Sequence, residues 1–216
     1  MVFILQTIAM TKSERIYNAQ ESIVFRKTSE AFGGLSNMAP GFHININDVI
    51  IPSVEHLYQA CRFPNHPEIQ HDIIAERSPM KAKWIGRKHL TSSRSDWDFV
   101  KFKIMQWCLE VKLSQNWNSF GELLRSTGSK SIVESTPKDK IWGAVPEGEV
   151  LIGTNALGRL LMLVRDRFVH TNEYHRCIHP VNISDFKLFG HDIELVCNEN
   201  DEMEIHWSFQ SDFQIA

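Results

Sequence analysis

"SDWDFVKFKIMQWCLEVKLSQN", residues 95–116, carries the longest helical rhythm in the chain. Trp97, Val100, Ile104, Trp107, Cys108 and Val111 recur at steps of three and four, the spacing that gathers side chains on one face of an α-helix. Charged and amide residues occupy much of the remainder. The segment therefore reads as a long central helix with its apolar stripe turned to a core. Trp97, Trp107 and Trp117 lie on or beside that stripe and read first as core residues.

Upstream, "PSVEHLYQACRF" (52–63) gives a shorter helix, with Ser53 as a candidate cap and Val54, Leu57, Tyr58 and Cys61 at apolar spacing. Glu55, Gln59 and Arg62 share one face of it at i, i+4 and i+7. Pro64 and Pro67 end this helix, a second runs from about residue 67 to 76, and "SPMKAKWIGRKH" (78–89) starts a basic one with Ser78 as cap and Pro79 at its first position. Further upstream, apolar and polar residues alternate from Ser22 to Ser53 around Gly33-Gly34 and Asn47-Asp48, which predicts two or three short strands. Downstream, "NSFGELLRSTG" is a short helix ended by Gly128, "SIVEST" a strand, and "TNALGRLLMLVRDRF" an amphipathic helix with Leu157, Leu160, Leu161, Val164 and Phe168 inward. Past His170, "HDIELV" and "MEIHWSF" flank the acidic "CNENDE" and suggest a hairpin.

The expected architecture is a compact, mainly helical α+β fold with a few short strands. Residues 1–20 form a leader, 21–169 the domain, and 170–216 a hairpin-like extension packed on it. At 216 residues with 43% hydrophobic content, one buried core is the expectation. A net charge of −3 argues against a general nucleic-acid binder, so any such contact has to be local. Cys61, Cys108, Cys177 and Cys197 form no CxxC pair and read as reduced thiols. The apolar opening "MVFILQTIAM" is too short to cross a bilayer and lacks a basic start, which points to a cytoplasmic protein with no membrane partner.

Three polar clusters exceed what amphipathicity requires: Glu55 with Gln59; Lys81, Lys83, Arg87 and Lys88; and residues 138–155 with Trp142 beside Gly143. A carboxylate, cations and an aromatic loop suit an anionic ligand that contains a planar base. Each cluster also has a plainer reading. Glu55 near a helix start is favoured by the helix dipole or by Arg62, and the basic run is an ordinary solvated face. "HRCIH" (175–179) lacks the further ligands a metal needs, and neither GxGxxG nor GxxxxGK[ST] occurs, so no metal or cofactor is expected.

Six blocks in order resemble the NADAR, or YbiA-like, family of N-glycosidases. They are "FGGLSNMAP" (32–40), "PSVEHLYQACRF" (52–63), "SPMKAKWIGRK" (78–88), "DWDFVKFKIMQWCLEVKL" (96–113), "IVESTPKDKIWGA" (132–144) and "IGTNALGRLLMLVRD" (152–166). The resemblance implies cleavage of a bond between a ribosyl carbon and a base-like nitrogen. Some members act on phosphorylated ribosylamino-pyrimidines of riboflavin synthesis. Others remove ADP-ribose from guanine in DNA or RNA, often beside an operon-linked DarT-type ADP-ribosyltransferase.

Carried over onto this sequence, the resemblance places Glu55 as the catalytic residue; Asp139, just ahead of Trp142, is the best candidate for a second acidic, catalytic group. The resemblance also places Trp97, Trp142, Gly143, Gly153 and Asn155 at the site, and Asn37, Gln59, Lys83 and Arg87 are read beside them as substrate-binding. Glu55 would stabilise a ribosyl cation and position water, Gln59 and Asn155 would orient ribose hydroxyls, and Lys83 and Arg87 would hold phosphate. ADP-ribosyl-guanine hydrolysis is the favoured activity. Removal of a riboflavin-pathway base is the alternative, and an ADP-ribose-binding module without turnover is the second.

Overall fold

The computed structural model describes residues 13–42, 44–171, 175 and 177–198. At its centre is helix α4 (Trp97–Gln115), preceded by α1 (Val54–Ala60), α2 (Pro67–Ala75) and α3 (Pro79–Lys88) and followed by α5 (Glu122–Ser126) and α6 (Ala156–Val164). Short strands complete a mixed α+β architecture: β1 (Arg15–Asn18), β2 (Ile23–Phe25), β3 (Ile44–Ile46), β4 (Val49–Ile51), β5 (Ile132–Glu134), β6 (Val145–Glu147), β7 (Val150–Gly153), β8 (Cys177–Ile178), β9 (Lys187–Leu188), β10 (His191–Asp192) and β11 (Val196–Cys197). No described helix is long and apolar enough to cross a membrane.

Helix α4 packs against α1, α6, β3 and β8. Contact on several sides buries Phe102, Met105, Leu109, Leu113 and the charged Lys112 as well as the stripe. Each fully buried aliphatic side chain contributes about 1.5–3 kcal/mol relative to exposure, so α4 anchors the core. Lys112 donates from Nζ to the carbonyl of Gly34 at 2.7 Å and stands 4.0 Å from the ring centroids of Phe42 and Phe120. Burial holds its pKa well below the usual lysine range. This contact ties the "FGGLSN" loop to the central helix.

Strand β1 pairs antiparallel with β7, and β7 with β6, so residues 15–18 of the expected leader form the edge of a three-stranded sheet. Strand β2 runs parallel to β5, and β3–β4 is a hairpin whose turn residues Asn47 and Asp48 have φ of 50° and 63°. Short polar side chains tolerate that conformation. Helix α3 begins as expected, with Ser78 Oγ accepting from Lys81 N at 3.4 Å. Ser53 differs: its hydroxyl pairs with His56 Nδ1 at 2.8 Å and does not cap α1. His56 Nε2 lies 2.9 Å from the carbonyl of Glu76, which requires the neutral ring to carry its proton on Nε2 and to accept from Ser53.

In the C-terminal segment, β10 pairs with β9 and β11 with β8, so "HDIELV" joins strands upstream of it; "MEIHWSF" lies outside the described residues. Phe186 meets Trp107 edge to face with ring centroids 4.8 Å apart, and Gln70 accepts from the amide of Phe189 while donating to the carbonyl of Lys187. The reading of four reduced thiols is corrected. Cys177 and Cys197 face each other across the β8–β11 pair and form a disulfide, while Cys61 and Cys108 stay free and buried. Strand pairing brings together two residues 20 positions apart, a proximity that spacing along the chain does not reveal.

Candidate functional site

Helix α1 opens directly onto a cleft of about 320 Å³. Its Glu55, Tyr58 and Gln59 line the cleft, with Arg62 just past the helix end, since residues at three- and four-step spacing share a face. The backbone N–H of Glu55 donates to the carbonyl of Asn37 at 2.9 Å, satisfying one of the first-turn amides and drawing Asn37 to the rim. Helix α3 contributes Lys83 and Arg87, and α4 contributes Trp97, Asp98, Lys101 and Met105. Glu134 enters from β5, Asp139 and Trp142 from the following loop, and Leu157 from α6.

Glu55 is 4% exposed and accepts a hydrogen bond from Gln59 Nε2 at 2.9 Å. Burial pushes its carboxyl pKa up, against the pull of Lys83, the Gln59 hydrogen bond and Arg87. Glu134 has less support. Burial raises its carboxyl to about 7, opposed by Lys83 and reinforced by the charges of Glu55 and Asp139. Lys83, Gln59 and Arg87 pull Glu55 back toward ionisation, whereas Glu134 has Lys83 alone to set against the charges of Glu55 and Asp139, and its carboxyl titrates near neutrality. Its place at the end of a short strand hid it from the sequence; the signal was a carboxylate following the apolar Ile132-Val133 pair, within a matching block.

An aromatic wall faces these carboxyls. Tyr58 lies 5.0 Å from Trp97 and 5.5 Å from Trp142, Phe102 lies 5.0 Å from Trp142, and the Arg62 guanidinium stands 5.0 Å over the Trp97 ring. Trp97 is thus both nearly buried and a lining residue, as the two readings of it required. Asn37 Oδ1 and Gln59 Oε1 are buried acceptors without a hydrogen-bond partner among the described residues. Such atoms are costly unless something donates to them, and the hydroxyls of a sugar are donors of that kind.

Eight expected site residues therefore converge on the cleft: Asn37, Glu55, Gln59, Lys83, Arg87, Trp97, Asp139 and Trp142. Asn155, Gly143 and Gly153 are not among the residues that line it. Asn155 is fully buried at φ 51°; its Oδ1 accepts from Glu134 N at 3.1 Å and its Nδ2 donates to the Ile132 carbonyl at 2.8 Å. A Cβ on Gly143 would fall 2.5 Å from the Glu134 carbonyl oxygen, and one on Gly153 2.5 Å from that of Gly143. These glycines permit close backbone approach. Asp139 reaches the cleft, but its Oδ1 accepts from the amides of Ile141 and Trp142 at 3.0 and 2.9 Å and so shapes the tryptophan loop. The carbonyls of Ile141 and Trp142 in turn accept from Ala156 N and Leu157 N, the first amides of α6.

Known proteins share this frame: residues 24–169 match the NADAR domain. The chain belongs to the NADAR family. Its helices and cleft lie almost wholly inside the matched segment, and the NADAR match ends at the π-helical turn after α6. The N-glycosidase Npun_R5314 of Nostoc punctiforme is 35% identical over 147 residues, 67% of this chain and 91% of that protein. The chloroplastic riboflavin biosynthesis protein PYRR of Zea mays is 35% identical over 163 residues, 69% of this chain but only 25% of the maize protein. The NMR structure of the E. coli protein YbiA superposes with a TM-score of 0.60 at 30% identity, covering 72% of this chain and 90% of YbiA.

Proposed function

We propose that this NADAR-family chain is a hydrolase of N-glycosyl bonds and that it removes ADP-ribose from guanine in nucleic acid. The observation that carries the reading is the pair Glu55 and Glu134, two carboxyls that line one cleft with Lys83 between their charges and an aromatic wall beside them. As the C1′–N bond breaks, its electrons leave with the nitrogen and positive charge develops on the ribosyl carbon. Ionised Glu55 stabilises that charge and orients the attacking water. Glu134 gives its proton to the departing nitrogen and serves as the second acidic group, the place for which Asp139 was the candidate in the sequence. Water then bonds to C1′ and surrenders its proton to the carboxylates.

Trp97 and Trp142 pack against the planar group or the sugar, and Lys83 and Arg87 face the phosphates. Access to a guanine adduct calls for a single-stranded or flipped nucleotide. On this reading the chain acts in the cytoplasm as the antidote to an operon-linked ADP-ribosyltransferase. A second reading is favoured by the name of the maize relative and by the modest size of the cleft: release of a base from a phosphorylated ribosylamino-pyrimidine.

The two are separated by mass spectrometry after incubation with a guanine-ADP-ribosylated oligonucleotide and, separately, with the ribosylamino-pyrimidine phosphate. Loss of the ADP-ribose mass from the oligonucleotide supports the first reading. Cleavage of the metabolite alone overturns it in favour of the second, and inertness toward both overturns N-glycosidase activity on these classes.

A further inference from the structure

Beside the cleft lies a second groove of about 290 Å³, lined by Met80, Lys81, Lys83, Trp84 and Arg87 on helix α3. Its walls are continuous with the cleft, because Lys83 and Arg87 line both. Met80 and Trp84 are 61% and 57% exposed. Poor packing does not explain them, since α3 buries Ala82 and Gly86 on its other face, where a Cβ on Gly86 would come within 2.4 Å of the Gln59 amide oxygen. Lys88 Nζ stands 3.8 Å from the centroid of the Trp84 ring and braces it while leaving more than half of the residue open. The lining holds an aromatic plane, a thioether and three cations, with no carboxylate among them.

We propose that this groove binds the distal nucleoside of a substrate whose ribosyl group enters the cleft and whose two halves are joined by a diphosphate. The inference rests on the ribosyl-cleaving reading of the cleft and extends it outward. Three observations select this occupant. The cleft alone, at about 320 Å³, lies at the small end of the roughly 300–1,000 Å³ common for small-molecule sites, so a two-nucleoside substrate has to extend beyond it. Lys83 and Arg87 stand one helical turn apart, about 6 Å along the axis, at the junction of the two spaces, where a diphosphate places two negative charges. Beyond them, Trp84 offers a stacking plane with Met80 at its edge, a surface suited to a nucleobase. A substrate with one phosphate would meet the cations and leave Trp84 unused.

The test compares the affinities of ADP-ribose and ribose 5-phosphate for the wild-type chain, Trp84→Ala and Trp84→Phe by titration calorimetry. Base–aromatic stacking predicts that Trp84→Ala weakens ADP-ribose by about tenfold while ribose 5-phosphate changes by less than about twofold, and that Trp84→Phe restores most of the loss. If ribose 5-phosphate binds and ADP-ribose binds no more tightly, or if Trp84→Ala leaves ADP-ribose affinity unchanged, the groove proposal fails while the ribosyl reading of the cleft stands. Equal weakening of both ligands overturns it by making Trp84 a support of the cleft as a whole. A loss confined to an ADP-ribosylated oligonucleotide assigns the groove to the neighbouring strand instead. Failure of the wild-type chain to bind either small ligand overturns the ribosyl reading and the groove together.

Discussion

Gln59 Nε2 donates to Glu55 Oε1 at 2.9 Å, one helical turn away on the same buried face of α1, while Gln59 Oε1 has no partner among the described residues. The amide fixes the carboxylate, and its buried oxygen packs against Gly86 of α3. Replacement by Met keeps the volume and removes that hydrogen bond. Loss of a hydrogen bond to a charged group costs about 1.5–3 kcal/mol, so Gln59→Met is expected to lower kcat/KM by about 10- to 100-fold. Steady-state kinetics checks this, with circular dichroism to show that the helix content is retained.

Glu134 sets the pH response. Its folded carboxyl titrates near 7 against an ordinary value of 4.5, so the folded chain binds its proton more tightly than the unfolded chain does. Stability therefore falls as pH rises from 4.5 to about 7, and Glu134→Gln removes its share of that fall; Glu55 and Glu110, also raised by burial, retain theirs. Activity that needs protonated Glu134 declines as pH passes about 7, and the Gln variant loses that limb along with about 100-fold or more of the rate. Melting curves and kcat/KM profiles across this window test both signs.

Asn155 is a bracket for β5. Asn155→Ala strands the Glu134 amide and the Ile132 carbonyl and places alanine at φ 51°. Two unsatisfied buried groups cost about 1–3 kcal/mol each, which at about 2–4 °C per kcal/mol predicts a fall in Tm of roughly 4–24 °C. Scanning calorimetry measures the drop, and ribose 5-phosphate titration below the transition should show affinity within about threefold of wild type, as a group outside the cleft implies. An unchanged Tm with lost affinity would return Asn155 to the ligand.

Much of this arrangement is legible in the chain itself. Proline and serine at 52–53, 67 and 78–79 mark the helix starts, and the face shared by Glu55, Gln59 and Arg62 is the wall of the cleft. Tyr58 was counted as an apolar position of that helix, yet its ring joins Trp97 and Trp142 at the site. What spacing could not supply was proximity between distant segments. Glu134 reads as the end of a strand until Lys83, 51 positions upstream, is brought beside it. Asn155 looks like a ligand-binding amide until its partners prove to be backbone groups 21 and 23 residues away. Lys112, a charge within a helical pattern, becomes a buried support only because the Gly34 carbonyl reaches it.

The central claim is that Glu55 acts on the reaction and does not merely hold the fold. Its most direct test is single-turnover cleavage by wild type and Glu55→Gln on whichever of the two N-ribosyl substrates the wild-type chain cleaves, with substrate affinity and Tm measured on the same preparations. Loss of the developing-charge partner predicts a rate lower by about 100- to 1,000-fold, with affinity within about threefold and Tm equal or higher, because a buried carboxylate has been replaced by a neutral amide. A rate within about threefold of wild type, or a rate lost in step with affinity and Tm, would contradict it and leave Glu55 a structural carboxylate.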